Sequence, residues 1–173
     1  MTQLPHNSRR DSLKLLAAGA LMSLAHSPVS HAQSSVLKRT IPKSREALPV
    51  IGLGTYSVFD VAPNAPEMAE LKDVLKAFVA GGARLIDSSP MYGRAEATTG
   101  ELAAALGVHA SLFLATKVWT RGRDAGVRQM LESLRLMRAK RIDLMQVHNL
   151  LDLETHLKTL REWKAAEIGR AHV

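Results

Sequence analysis

The stretch LIDSSPMYG at residues 85–93 decides the fold, because the same arrangement of apolar and polar residues recurs along the chain. A short apolar run ends in a polar residue, Asp87, and Tyr92 lies just beyond it. Apolar runs of this length predict buried parallel strands. Two later runs follow the same plan: LFLATKVW at residues 112–119, which contains Lys117, and IDLMQVHN at residues 142–149, which contains His148.

Amphipathic helical patterns separate these strands, and one begins at Pro66 and ends at Gly81. Residues 96–106 form another helix, which Gly107 ends. The strands recur about every 30 residues, the length of a βαβ unit, and this alternation predicts parallel strands with right-handed crossovers. The predicted apolar stripes are Leu71, Val74, Leu75, Phe78 and Val79; Val127, Met130, Leu131 and Leu134; and Leu153, Leu157 and Leu160.

Residues 36–49 predict two short strands, and residues 50–56 predict the first strand of the parallel sheet. The fold class is therefore α/β: a partial (β/α)8 TIM barrel with about the first four βα units, preceded by a short β-hairpin. In such barrels the C-terminal ends of the strands open onto one face, where active sites are built. The polar residues at the strand ends should therefore meet in one pocket.

Composition excludes several classes of function. The chain of 173 residues is 46% hydrophobic and 23% charged, which predicts one packed domain. The sequence has no cysteine, so disulfides and thiolate metal sites are excluded, and we predict no metal site. The net charge is +7, but the basic stretch at residues 121–141 contains no aromatic residue. A solvated helix face explains that stretch better than a nucleic-acid surface.

The first 32 residues have the three features of an export signal. SRRDSLK at residues 8–14 resembles the twin-arginine motif, although Ser12 stands where that motif usually has Phe. The apolar run at residues 15–25 is too short for a stable membrane span, and SHA at residues 30–32 resembles a cleavage site. We predict export to the periplasm by the twin-arginine (Tat) machinery, with no stable membrane insertion after processing. An uncleaved anchor or a chance basic-apolar start is the alternative.

The length of the chain suggests that it represents only part of a barrel. A complete barrel needs about 250 residues, whereas the pattern above supplies four βα units. Residues 168–173 do not continue this pattern and resemble a translated sequencing adapter. We interpret residues 36–167 as the N-terminal half of a barrel and residues 168–173 as a non-native tail. The alternative is a naturally short protein.

Four residues could together catalyse the reduction of a carbonyl group. Tyr92 would donate the proton, and Lys117 would make the phenol a stronger acid by favouring phenolate. Asp87 would hold that ammonium, and His148 would donate a hydrogen bond to the carbonyl. No side chain supplies a hydride, which implies a nicotinamide cofactor. Taken singly, the four could be a helix cap, a turn residue, a solvated lysine and a core histidine.

With these residues the chain resembles an aldo-keto reductase. The resemblance implies NADPH-dependent reduction of an aldehyde or ketone, with NADH left open because the phosphate-clamping strands would lie in the missing half. The alternative is a non-catalytic cofactor-binding or partner subunit, and we expect this fragment to be inactive. The matching segments are GLGTY at 52–56, ID at 86–87 with YG at 92–93, TKVW at 116–119 and DLMQVH at 143–148.

The resemblance also implies roles for particular residues. The catalytic set would be Asp87, Tyr92, Lys117 and His148. The cofactor would lie against Gly54, Thr55, Tyr56 and Asp87, and the small carbonyl substrate against Tyr56, Trp119 and His148.

Overall fold

The structure is a computed structural model and describes residues 36–165. The predicted signal peptide at residues 1–32 and the predicted non-native tail at residues 168–173 lie outside the described residues.

Short strands and longer helices alternate through residues 36–165. A 3₁₀ turn precedes β5 at His109–Ser111, and another follows β6 at His148–Leu150. The elements are β1 (Lys38–Thr40), β2 (Ala47–Pro49), β3 (Gly52–Gly54), α1 (Glu67–Ala80), β4 (Leu85–Asp87), α2 (Ala95–Leu106), β5 (Phe113–Val118), α3 (Arg123–Leu136), β6 (Leu144–Val147) and α4 (Leu153–Ala165).

The strands form an antiparallel hairpin and a parallel sheet. β1 pairs with β2, and the second sheet has the order β3-β4-β5-β6 with all neighbours parallel. Because neighbours in space are also neighbours in sequence, each crossover leads to the adjacent strand, as in the first half of a (β/α)8 barrel. The predicted partial barrel and its preceding hairpin are confirmed.

The hydrophobic core lies between the parallel sheet and the helices. Side chains alternate between the two faces of a strand, and Ile86 of β4 is fully buried on the helix side. Leu75 of α1, Met130 of α3 and Leu160 of α4 are also buried in this layer. Burying each such side chain contributes about 1.5–3 kcal/mol to folding, so this layer fixes the sheet that carries the strand ends.

Some predicted boundaries and helix faces were wrong. The strand predicted at residues 50–56 spans only Gly52–Gly54, because the chain turns after Thr55 and Ser57 has a positive φ of 65°. Val74 and Leu131 belong to the predicted apolar stripes but are exposed. Each lies at the edge of its stripe, and the stripe is wider than the surface that the helix packs against the sheet.

The inner face of α4 also differs from its predicted leucine stripe. His156 and Thr159 are fully buried there beside Leu160, whereas Leu153 and Leu157 are only half-buried. Among residues 36–165, no helix has the length and apolar character needed to cross a bilayer.

Candidate active site

The four predicted catalytic residues lie together at the C-terminal ends of the parallel strands. Asp87 ends β4, and the following loop carries Tyr92. Lys117 lies within β5, one residue before its end, and His148 directly follows β6. Sheet pairing aligns these ends, so residues up to 61 positions apart in sequence lie together. We call the open end of the sheet that carries these four side chains the mouth.

The Lys117 ammonium is held by two acceptors from β4 and its loop. Its Nζ lies 2.6 Å from Oδ2 of Asp87 and 2.7 Å from the backbone oxygen of Ser88. The lysine side chain is only 12% exposed. The same nitrogen lies 4.8 Å from the centre of the Tyr92 ring, so the positive charge faces the phenol ring. In the described part of the chain, the Tyr92 hydroxyl makes no hydrogen bond and is free for a ligand.

Gln146 completes the support of Asp87, and sequence reasoning missed it. Its Nε2 donates to Oδ1 of Asp87 over 2.9 Å, so each carboxylate oxygen has its own donor. Gln146 is paired in register with Lys117 across β5 and β6. An amide in the middle of the apolar strand LMQV was the available signal.

His148 lies against two aromatic rings and one hydroxyl. Its ring meets that of Tyr92 edge-on, with centroids 5.7 Å apart, and lies 6.3 Å from the ring of Trp119. Nδ1 lies 2.7 Å from Oγ of Ser89. Burial lowers the pKa of His148, and the charge of Lys117 lowers it further, against the opposing effect of Asp87. The ring is therefore neutral near pH 7.

The predicted cofactor residues of β3 and its loop occupy three different positions. Gly54 faces open space, since a Cβ there would meet no atom within 4 Å. Tyr56 is 67% exposed, and its ring lies 5.1 Å from that of Tyr92. Thr55 is fully buried; its hydroxyl donates to the backbone oxygen of Asp87 over 3.0 Å and lies 2.9 Å from Oγ of Ser88, which can donate to it. Thr55 thus joins β3 to the end of β4.

Trp119 stands at the rim of the mouth and is fixed through its backbone. Its N–H donates to Oε1 of Gln129 over 2.5 Å, and Nε2 of Gln129 donates back to its carbonyl oxygen over 3.2 Å. The side-chain amide of Gln129 on α3 thereby holds the backbone of Trp119, which directly follows β5. The indole is 39% exposed, so it offers an apolar surface beside His148.

A buried carboxyl group lies behind the site. Glu96 of α2 is 2% exposed, and the hydroxyl of Thr116 donates to its Oε1 over 2.6 Å. Burial raises the pKa of Glu96, and the hydrogen bond from Thr116 opposes that rise. Because Thr116 directly precedes Lys117, this pair anchors the helix side of β5. Nowhere in residues 36–165 do three or more acidic or histidine side chains form a group able to hold a metal ion.

Comparisons with known proteins identify similar structures and a family. No curated protein sequence matches the chain. Among solved structures, a protein from Pseudomonas aeruginosa assigned to the aldo-keto reductases is 26% identical with a TM-score of 0.63, over 75% of this chain and 56% of that one. An aldo-keto reductase from Klebsiella pneumoniae, in complex with NADPH, is 25% identical with a TM-score of 0.63, over 75% and 46%.

A thermostable aldo-keto reductase, in complex with the inhibitor epalrestat, is 25% identical with a TM-score of 0.66, over 78% of this chain and 52% of that one. The chain thus spans about half the length of the solved structures it matches. The family model described as "Aldo/keto reductase family" matches residues 50–165. Since that match covers more than half of the 173 residues, this chain belongs to the aldo/keto reductase family.

Proposed function

We propose that this chain carries the catalytic residues of an NADPH-dependent reductase that converts an aldehyde or ketone to an alcohol. The observation that carries the proposal is the cluster at the strand ends. An ammonium 2.6 Å from Asp87 faces the ring of Tyr92, and the neutral ring of His148 lies beside that phenol. When bound, NADPH supplies the hydride that the carbonyl carbon accepts.

The mouth has room for a planar ring beside β3. Gly54 has no side chain there, and Tyr56 exposes its ring next to Tyr92. A strand end without a side chain, beside an exposed aromatic ring, fits a nicotinamide. The complex of the Klebsiella pneumoniae protein with NADPH supports the same cofactor here.

Tyr92 is the proton donor in this proposal. Its hydroxyl is free, and the ammonium of Lys117 favours the phenolate that remains after transfer. Two unit charges about 5 Å apart attract by about 3 kcal/mol at an effective dielectric constant of about 20. Asp87 fixes the ammonium, and Gln146 fixes Asp87 in turn.

His148 orients the carbonyl group in this proposal. A neutral imidazole can donate one hydrogen bond to the carbonyl oxygen without competing with Tyr92 for the role of acid. Tyr56 and Trp119 line the two sides of the mouth with exposed aromatic surface. This environment favours small carbonyl compounds with an apolar substituent.

We further propose that the 173 residues alone are inactive. Within the described residues, β3 and β6 each have a neighbour on one side only, so the parallel sheet is open. A barrel closes only when every strand is paired on both sides. Reduction should therefore require further strands, and the tests below use the intact protein.

Tyr92→Phe tests the proposed function in the intact protein. The variant keeps the ring and removes the proton donor, so we expect a loss of kcat with little change in NADPH affinity. Reduction is followed as NADPH consumption with a simple aldehyde, and affinity by cofactor fluorescence. Wild-type turnover in the variant would contradict the role of Tyr92. NADPH binding without any turnover by the wild-type protein would favour the alternative, a non-catalytic binding subunit.

We also propose export by the twin-arginine route, supported by Arg9 and Arg10 ahead of the apolar run at residues 15–25. Replacing both arginines with lysine keeps the charge and removes the motif. The precursor should then stay in the cytoplasm on cell fractionation. Unchanged delivery to the periplasm would exclude this route.

A further inference from the structure

Ser89 makes the hydrogen bond that decides which nitrogen of His148 carries the proton. We infer that Ser89 is a positioning residue, whose hydroxyl donates to Nδ1 of His148 and so places the ring proton on Nε2. The inference rests on the proposed function, in which His148 donates a hydrogen bond to the substrate carbonyl. It adds to that function a residue that sets the direction of the donor.

The hydroxyl of Ser89 has two partners in the described part of the chain. Its Oγ lies 2.7 Å from Nδ1 of His148, and it accepts the backbone N–H of Met91 over 3.2 Å. The serine is fully buried, so water does not reach it in this structure. A hydroxyl group has one proton to donate and two lone pairs that accept.

Counting donors and acceptors selects one tautomer. If Nδ1 carried the ring proton, it would donate to Oγ, and the proton of Ser89 would have no acceptor among residues 36–165. Buried polar groups are almost always hydrogen-bonded. If Ser89 donates to Nδ1 instead, its proton, the lone pair of Nδ1 and the N–H of Met91 are all paired.

The other ring nitrogen is then free to act on a ligand. No residue in the range 36–165 forms a hydrogen bond with Nε2 of His148, and the ring lies beside Tyr92 and Trp119 at the mouth. The ring is neutral near pH 7, because burial and then the charge of Lys117 lower the pKa of His148. A neutral imidazole has one donor only, so its tautomer decides whether a carbonyl oxygen meets a proton or a lone pair.

The test is nitrogen NMR of histidine-labelled intact protein without substrate, with the His148 signals assigned by their absence in His148→Asn. We expect the wild-type spectrum to show the proton on Nε2 and an accepting Nδ1. Ser89→Ala should move the Nδ1 resonance and add the other tautomer. The matched control is Ser88→Ala, which removes the neighbouring buried hydroxyl bonded to Thr55, and it should keep the wild-type His148 signals.

A kinetic measurement separates this inference from the proposed function. Ser89→Ala should lower kcat/KM for a simple aldehyde about tenfold, the effect of one well-directed hydrogen bond, with NADPH affinity unchanged. A wild-type ring with its proton on Nδ1, or a Ser89→Ala spectrum identical to wild type, would overturn the inference whatever the activity. If the wild-type protein reduces no carbonyl, the proposed function fails, and the NMR result still decides the role of Ser89.

Discussion

Replacing Lys117 with Met would remove the ammonium that faces Tyr92 and leave a side chain of similar length. In the structure Nζ lies 4.8 Å from the centre of the phenol ring. If the charges of the ammonium and the phenolate are taken as about 5 Å apart, an effective dielectric constant of about 20 gives about 3 kcal/mol of attraction. Since about 1.4 kcal/mol corresponds to a tenfold change in rate, we expect kcat to fall by about 100-fold. The carboxylate of Asp87 would then lose its counterion and keep only the hydrogen bond from Gln146, which should increase the loss.

The assay is single-turnover oxidation of NADPH by intact protein, with deuterated cofactor to confirm that the chemical step is observed. Lys117→Arg is the matched control, because it keeps the charge beside Asp87 and should retain more activity than Lys117→Met. A further variant, Asp87→Asn with Lys117→Met, removes the carboxylate that has lost its counterion and should recover part of the loss. A decrease of less than threefold in Lys117→Met would refute the electrostatic argument.

Three further predictions test residues around the site. Gln129→Ala should raise KM for a bulky aromatic aldehyde with little change in kcat, because the backbone of Trp119 loses both amide contacts; an unchanged KM in steady-state assays would argue against this. Burial raises the pKa of Glu96 above its ordinary 4.5, so over a range of pH above that value the folded protein keeps a proton that the unfolded chain releases. The free energy of unfolding should therefore fall as the pH rises above about 4.5 until the carboxyl group ionises in the folded state, and Glu96→Gln should flatten that slope in urea titrations. Gly100→Ala would place a methyl group against the backbone at the end of α3, so it should lower the free energy of unfolding by about 2 kcal/mol or more in urea titrations. The control is Gly54→Ala, which adds a methyl group in open space and should leave the urea midpoint near wild type.

The sequence was sufficient to identify the residues at the strand ends. Asp87, Lys117 and His148 each follow or end an apolar run, and parallel strands present their C-terminal ends on one face. Periodicity also located the four helices to within a few residues, since Gly81 and Gly107 follow the ends of α1 and α2. These features depend on local patterns, which a single sequence displays directly.

The tertiary structure alone decided which polar groups hold those residues in place. Gln146 reaches Asp87 across 59 positions, and Ser89 reaches His148 across the same separation. The buried hydroxyl of Thr55 joins β3 to β4, a contact that its position next to Gly54 did not indicate. The physical reason is that strand register and side-chain direction depend on the packing of the whole sheet, whereas periodicity in the sequence fixes only what each segment forms.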